Sequence, residues 1–97
     1  LLVLQVLSHG PNYGYRILAD LRQLSNGVLE YNEGALYPVL YQLERDECVE
    51  SYTEAVDGRL RRFYQLTAKG QAQRVKAHDE WTTLVNSVRL VLGDNTA

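Results

Sequence analysis

The sequence predicts a mainly α fold carrying one small β-hairpin. Three observations carry that prediction. Apolar residues return at helical spacing in three separate stretches. An Asp57-Gly58 pair sits between two extended runs, the strongest short signal for a tight hairpin. Glycine, proline and asparagine stand where helices would start and stop.

From Leu1 to Leu7 the chain is almost wholly apolar, and Gly10-Pro11 ends that first helix, with Asn12 placed to cap the next. The second helix puts Ile17, Leu18, Leu21 and Leu24 on one buried face and stops at Asn26-Gly27. Val28 to Tyr31 has the length of a single small strand. Asn32 then offers its side chain to the first free N–H groups of a third helix. In that helix Leu36, Leu40 and Leu43 share a narrow arc, with Val39 beside them, facing the core. The opposite arc carries Gly34, Pro38, Tyr41 and Arg45, flanked by Tyr37 and Gln42. Gly34 lowers helix stability there but removes a side chain that would hold a neighbouring surface away.

Glu50 to Ala55 and Leu60 to Leu66 form the hairpin, and its second strand alternates, with Tyr64 and Leu66 facing one way and Arg61, Phe63 and Gln65 the other. Thr67 caps a last helix of roughly 25 residues, about 37 Å long at 1.5 Å per residue. Its Ala77, Trp81, Leu84, Val85, Val88, Val91 and Leu92 repeat at helical spacing, and Gly93 stops it before a polar tail. That stripe outruns any core a body this small can supply. A second copy of the chain is the natural place to bury Trp81, Leu84, Val85, Val88, Val91 and Leu92. The alternative is that the helix folds back along its own body.

Ninety-seven residues suit one domain with a modest core, near the size at which a partner adds much stability. Within it, 1–66 forms the helix-and-hairpin unit, 67–93 the terminal dimerisation helix and 94–97 the tail. A single cysteine excludes an internal disulfide, and neither a secretory signal nor a membrane-length apolar run is visible, so the chain reads as cytoplasmic. It opens inside an apolar run without methionine, as a trimmed chain does, with part of the first helix then missing.

The net charge of −2 conceals a segregation. Residues 1–57 hold three basic and nine acidic groups, whereas residues 58–78 hold six basic groups and no acid. Phosphate attraction is local, because screening at physiological salt acts over about 8 Å, so the cluster outweighs the sum. Catalysis finds no support. His9, His78, Cys48 and the carboxylates lack metal-ligand spacing, and there is neither a nucleophile elbow nor a glycine-rich phosphate loop. No enzyme activity, metal or cofactor is expected, and Cys48 reads as a small buried hydrophobe.

The order helix, helix, small strand, helix, hairpin is the layout of a winged helix-turn-helix, in which the third helix enters the major groove and the wing reaches the backbone or minor groove. Asn32 to Glu44 (NEGALYPVLYQLE), the hairpin GRLRRFYQLT with its following Ala68-Lys69-Gly70, the upstream Tyr13-Gly14-Tyr15 and Trp81 together resemble the PadR family of bacterial transcriptional regulators. The resemblance covers nearly the whole chain. It implies a homodimeric repressor of inverted-repeat operators in double-stranded DNA, paired through the C-terminal helix. It also implies DNA contacts from Asn32, Gly34, Ala35, Tyr37 and Pro38, with the Tyr37 hydroxyl on a phosphate and Arg59 and Arg62 in the basic wing. Tyr41 and Arg61 join that set from their places on the outward arc and the hairpin. The chain departs from the family at Glu47, where a helix-ending glycine is common, and at Leu60, where many members carry another basic residue.

Two other readings stand beside this one. The tyrosines and the hairpin would grip a protein in a winged-helix interaction module, a reading that the low net charge keeps open. In a ligand-responsive regulator, Trp81 would stack on a small aromatic effector at the subunit boundary. Each residue also has a plain explanation, the tyrosines covering apolar surface and the arginines keeping an exposed hairpin soluble.

Overall fold

A computed structural model describes residues 1–93. The elements run α1 (Leu2–Leu7), β1 (Asn12–Tyr13), α2 (Gly14–Leu24), α3 (Glu33–Arg45), β2 (Val49–Val56), β3 (Arg59–Leu66) and α4 (Ala68–Leu92). The three strands make one antiparallel sheet in the order β1-β3-β2. The predicted class is therefore the observed one: a mainly helical body, a small hairpin and a long final helix.

The core gathers residues from the first three helices and from the hairpin, and none from β1 or α4. Val3, Leu4, Val6 and Leu7 of α1, Ile17 and Leu21 of α2, and Leu36 and Leu40 of α3 close over Cys48, Val49 and Tyr64. Two apolar positions fall outside it. Leu24, placed by periodicity on the buried face, is 68% exposed because α2 reaches past the body at its last turn, and Val39 is 44% exposed at the edge of α3.

The small strand lies elsewhere than expected. Val28 to Tyr31 joins no strand among the described residues; Asn26 and Gly27 both take positive φ, and the Leu29 N–H donates to Ser25 Oγ at 2.8 Å, which curls the segment off the sheet. The third strand is β1, where Asn12 faces Tyr64 and Tyr13 faces Phe63. Asn12 is accordingly not the cap of α2. Its Oδ1 accepts from the Tyr13 N–H at 3.0 Å and its Nδ2 donates to Asp20 at 3.1 Å, and Tyr13 occupies the cap position with no side-chain cap among the described residues.

The hairpin turns on Asp57 (φ 50°) and Gly58 (φ 78°), the two left-handed positions that a type I′ turn demands. At the other end of the sheet, Thr67 Oγ1 accepts the Gly70 N–H at 3.0 Å and opens α4. Gly70 is the one buried residue of that 25-residue helix, so α4 touches the body only by its first turns and then leaves it. Arg74 donates to Gln5 Oε1 at 3.0 Å and fixes the departure angle against α1. The resulting molecule measures 54 × 29 × 22 Å, elongated by the free end of α4. Gly93 ends that helix at φ 76°, as expected, and the polar tail 94–97 lies outside the described residues.

Candidate nucleic-acid interface

α3 begins on a satisfied cap. Asn32 Oδ1 accepts the Ala35 N–H at 2.9 Å, and Glu33 in the first turn meets the positive end of the helix dipole. Leu36 and Leu40 anchor one side in the core, which turns Asn32, Gly34, Ala35, Pro38 and Tyr41 to solvent. Pro38 has no N–H to bond the carbonyl one turn back, so the Gly34 carbonyl lacks its helical donor on the outward side. A Cβ on Gly34 would meet only Asn32 Oδ1, at 3.3 Å, which leaves a backbone surface open to close approach.

Tyr37 is half-buried rather than splayed outward. Its hydroxyl sits against the backbone of Gly14 at the first turn of α2, and its ring leans on Tyr41 with centroids 5.9 Å apart. The open N-terminus of one helix and the phenol of another therefore share one spot on the surface.

The three hairpin arginines go three ways. Arg59 is exposed at the tip, and Leu60 beside it is exposed as well. Arg61 lies on the outward face of the sheet, its guanidinium 5.2 Å from the Tyr13 ring centroid, within an aromatic ladder in which Phe63 stacks on Tyr52 at 5.5 Å and meets Tyr13 edge-on at 5.2 Å. Arg61 Nε is buried without a hydrogen-bond partner among the described residues. Arg62 shares the inward face with Tyr64 and turns toward α3, where its Nη2 donates to Ser51 Oγ at 2.8 Å and lies 3.5 Å from Glu44 Oε2. Ser51 in turn donates to that same Glu44 oxygen at 2.5 Å.

These ties bring Tyr37, Tyr41 and Arg62 together. All three act electrostatically on the Tyr64 hydroxyl, which is buried and finds no hydrogen-bond partner among the described residues. Burial pushes the Tyr64 phenol up from its ordinary value; the Arg62 charge opposes that shift, while Tyr41, Glu44 and Tyr37 add to it. Arg61, on the far side of the sheet, stands apart from this group.

On α4, Trp81, Leu84, Val88 and Val91 fall three, four and three residues apart, and all are more than 40% exposed; Leu92 is exposed too, and Val85 is partly covered. The helix does not fold back on its own body. Between α1 and α4 lies a groove of about 460 Å³ lined by Leu1, Leu2, Gln5, Arg74, Val75, His78 and Trp81.

Sequence reasoning singled out the tyrosines and arginines but missed the residues that seat them: Gly14 under Tyr37, and Ser51 and Glu44 under Arg62. Gly14 carried a visible signal, a glycine between two tyrosines. The register that sets Ser51 opposite Tyr64 was open to inference from the Asp57-Gly58 turn.

A helix with an unencumbered start, held beside an arginine-bearing hairpin, defines a winged-helix DNA-binding protein. The Transcriptional regulator PadR-like family matches residues 3–76, three quarters of the chain. The chain belongs to that family and is a transcriptional regulator rather than an enzyme. Across 92 residues it is 28% identical to "Uncharacterized protein X" of Lysinibacillus sphaericus, covering 94% of this chain and 84% of that one. Across 69 residues it is 41% identical to the transcriptional regulator Rv3488 of Mycobacterium tuberculosis, covering 71% of this chain and 64% of that regulator. Among solved structures, a PadR family transcription regulator from Clostridium difficile superposes with a TM-score of 0.83 at 25% identity, covering 94% of each chain. The Streptococcus mutans protein smu.1704 superposes with a TM-score of 0.80 at 30% identity, covering 99% of this chain and 88% of that one.

Proposed function

We propose that the protein is a cytoplasmic repressor that binds an inverted-repeat operator as a homodimer. In this reading α3 enters the major groove through Asn32, Gly34, Ala35, Pro38 and Tyr41. Tyr37 donates to a phosphate at the uncapped start of α2, and the hairpin lays Arg59 and Arg62 along the backbone, with Arg61 held over Tyr13 on the other face. The observation that supports it is that Arg62 of the hairpin lies within reach of Glu44 on α3, so that wing and reader share one side of the molecule. Two such units on a two-fold axis meet half-sites roughly 34–36 Å apart, and bound DNA excludes polymerase. The exposed stripe of Trp81, Leu84, Val88 and Val91 supports pairing through α4, since each such side chain left in water forgoes on the order of 1.5–3 kcal/mol.

Footprinting the protein on the DNA around its own gene is the direct test. Protection of two half-sites one helical turn apart is expected, lost on Arg59→Ala with the oligomer intact; no protection anywhere overturns the reading. Sedimentation should give a dimer that Val88→Asp converts to monomer.

The groove beside Trp81 favours a second, compatible reading, in which a planar aromatic effector stacks on the indole and changes the angle between the two reading heads. Trp81 is the sole tryptophan, so its fluorescence reports directly. Titration with planar aromatic compounds should quench it, and a flat response to all of them removes this reading.

A further inference from the structure

We propose that Glu44 acts as an internal stand-in for DNA phosphate, occupying Arg62 in the free protein and thereby limiting how tightly the wing grips a duplex. The inference rests on the DNA-binding reading above and adds a residue that opposes it. Among the described residues, Arg62 is the only hairpin arginine that meets a carboxylate. The contact is directional as well as ionic: the guanidinium donates to Ser51 Oγ at 2.8 Å, and the single Ser51 proton goes on to Glu44 Oε2, the oxygen that itself stands 3.5 Å from Arg62. Hydroxyl and carboxylate both face one guanidinium nitrogen, Nη2, so a phosphate oxygen arriving there competes with both.

The pair sits at the rim, with the Arg62 side chain 60% and the Glu44 side chain 33% exposed, so a phosphate can reach it without unfolding anything. Exposed ion pairs are weak, and exchange of one anion for the other is therefore open. The exchange carries a penalty. Glu44 stays behind on the last turns of α3, its charge now facing the incoming phosphate. Among the described residues, Arg59 is the wing arginine with neither an ionic nor an aromatic partner, because Arg62 meets Glu44 and Arg61 lies over Tyr13.

A competing assignment makes the opposite prediction. If Glu44 served to position the wing against α3, removing its charge would loosen the hairpin and weaken binding. Fluorescence anisotropy with a labelled random-sequence DNA duplex, across a sodium chloride series, separates the two, because phosphate contacts need no operator. Glu44→Gln should tighten binding roughly two- to fivefold at fixed salt and steepen the log–log salt slope by up to about 0.9, one further phosphate. Arg62→Ala alone should change the slope by much less, and the double variant Glu44→Gln with Arg62→Ala should lose the whole gain. Ser51→Ala, which keeps the charge but cuts the bridge, should shift binding in the same direction by less, and thermal unfolding of each variant checks that it folds. Weaker or unchanged binding by Glu44→Gln, or a gain that survives removal of Arg62, overturns the inference. A wild-type protein with no salt-dependent affinity overturns the DNA reading beneath it, and this inference falls with it.

Discussion

The Tyr37 hydroxyl oxygen stands 2.5 Å from the point where a Cβ on Gly14 would lie, with the ring Cζ at 2.9 Å. No side chain can coexist with that phenol in its present seat. Two residues 23 positions apart are thereby locked into one feature of the surface, the first turn of α2 and the aromatic edge of α3. The glycine is there for the tyrosine, since its own backbone needs no left-handed conformation.

Gly14→Ala follows as a test of Tyr37 without touching it. Alanine favours the helix by about 1 kcal/mol, and the clash falls on the far end of a side chain that can swing, so stability should change by no more than about 1 kcal/mol. The ring would leave its seat. DNA affinity should then fall roughly ten- to a hundredfold, as for Tyr37→Phe, because a hydrogen bond to a charged group contributes about 1.5–3 kcal/mol. Thermal unfolding and anisotropy on the same samples give both values. Unaltered affinity with the ring displaced would remove Tyr37 from the DNA face.

Gly70→Ala tests a different kind of contact. The added Cβ would lie 1.9 Å from the Cys48 carbonyl oxygen and 2.9 Å from its carbon, and a backbone cannot swing aside. The Thr67 N–H bond to that carbonyl, at 3.1 Å, and the Thr67 hydroxyl bond to Glu47 O, at 2.6 Å, lie in the same joint. Overpacking there should cost about 3 kcal/mol or more, well beyond the helix-propensity gain. The midpoint in urea should drop, with α4 losing protection from hydrogen exchange first; an unshifted midpoint would mean that α4 is not seated on Cys48.

What local chemistry decides was legible from the residues alone. Asn32 and Thr67 cap the helices they were expected to cap, Asp57-Gly58 turns the hairpin, Gly93 ends α4, and Leu36 and Leu40 face inward. What depends on a distant partner was not. Val28 to Tyr31 has the composition of a strand, but the free edge of β3 goes to Asn12 and Tyr13, and nothing in either segment states which arrives first. The interface divides in the same way. Arg61 and Phe63 were read together on one face by period alone, whereas the Glu44–Ser51–Arg62 triad needs the angle between α3 and the sheet, a tertiary quantity.

Glu47→Gly should stabilise the protein. α3 ends in a Schellman motif, with Cys48 N–H bonded to Leu43 O at 2.9 Å and Glu47 N–H to Glu44 O at 3.0 Å, and Glu47 occupies its left-handed position at φ 61°. A side chain there costs roughly 1–2 kcal/mol, and glycine returns part of that as extra freedom in the unfolded chain, roughly 0.5–1 kcal/mol. A net gain of about 0.5–1 kcal/mol is expected by denaturant unfolding. A loss would show that the Glu47 side chain makes a contact worth more than the strain.

Tyr64→Phe should stabilise the protein for another reason and remove a pH dependence. The hydroxyl is buried and unpartnered among the described residues, and a polar group left so costs about 1–3 kcal/mol, which phenylalanine of nearly the same shape avoids. Burial raises the phenol above its ordinary value of about 10. Between that value and the higher folded one, the unfolded chain releases a proton that the folded chain keeps, so the folded state binds more protons and stability falls as pH rises. The contribution is whole below about pH 10 and is lost on passing through the folded value. Chemical unfolding from pH 8 upward should therefore show a steeper alkaline decline in the wild type than in Tyr64→Phe, the other six tyrosines cancelling in the difference. If the variant is instead less stable at neutral pH, the hydroxyl has a partner in solution, such as a water bridging to Glu44 or Ser51.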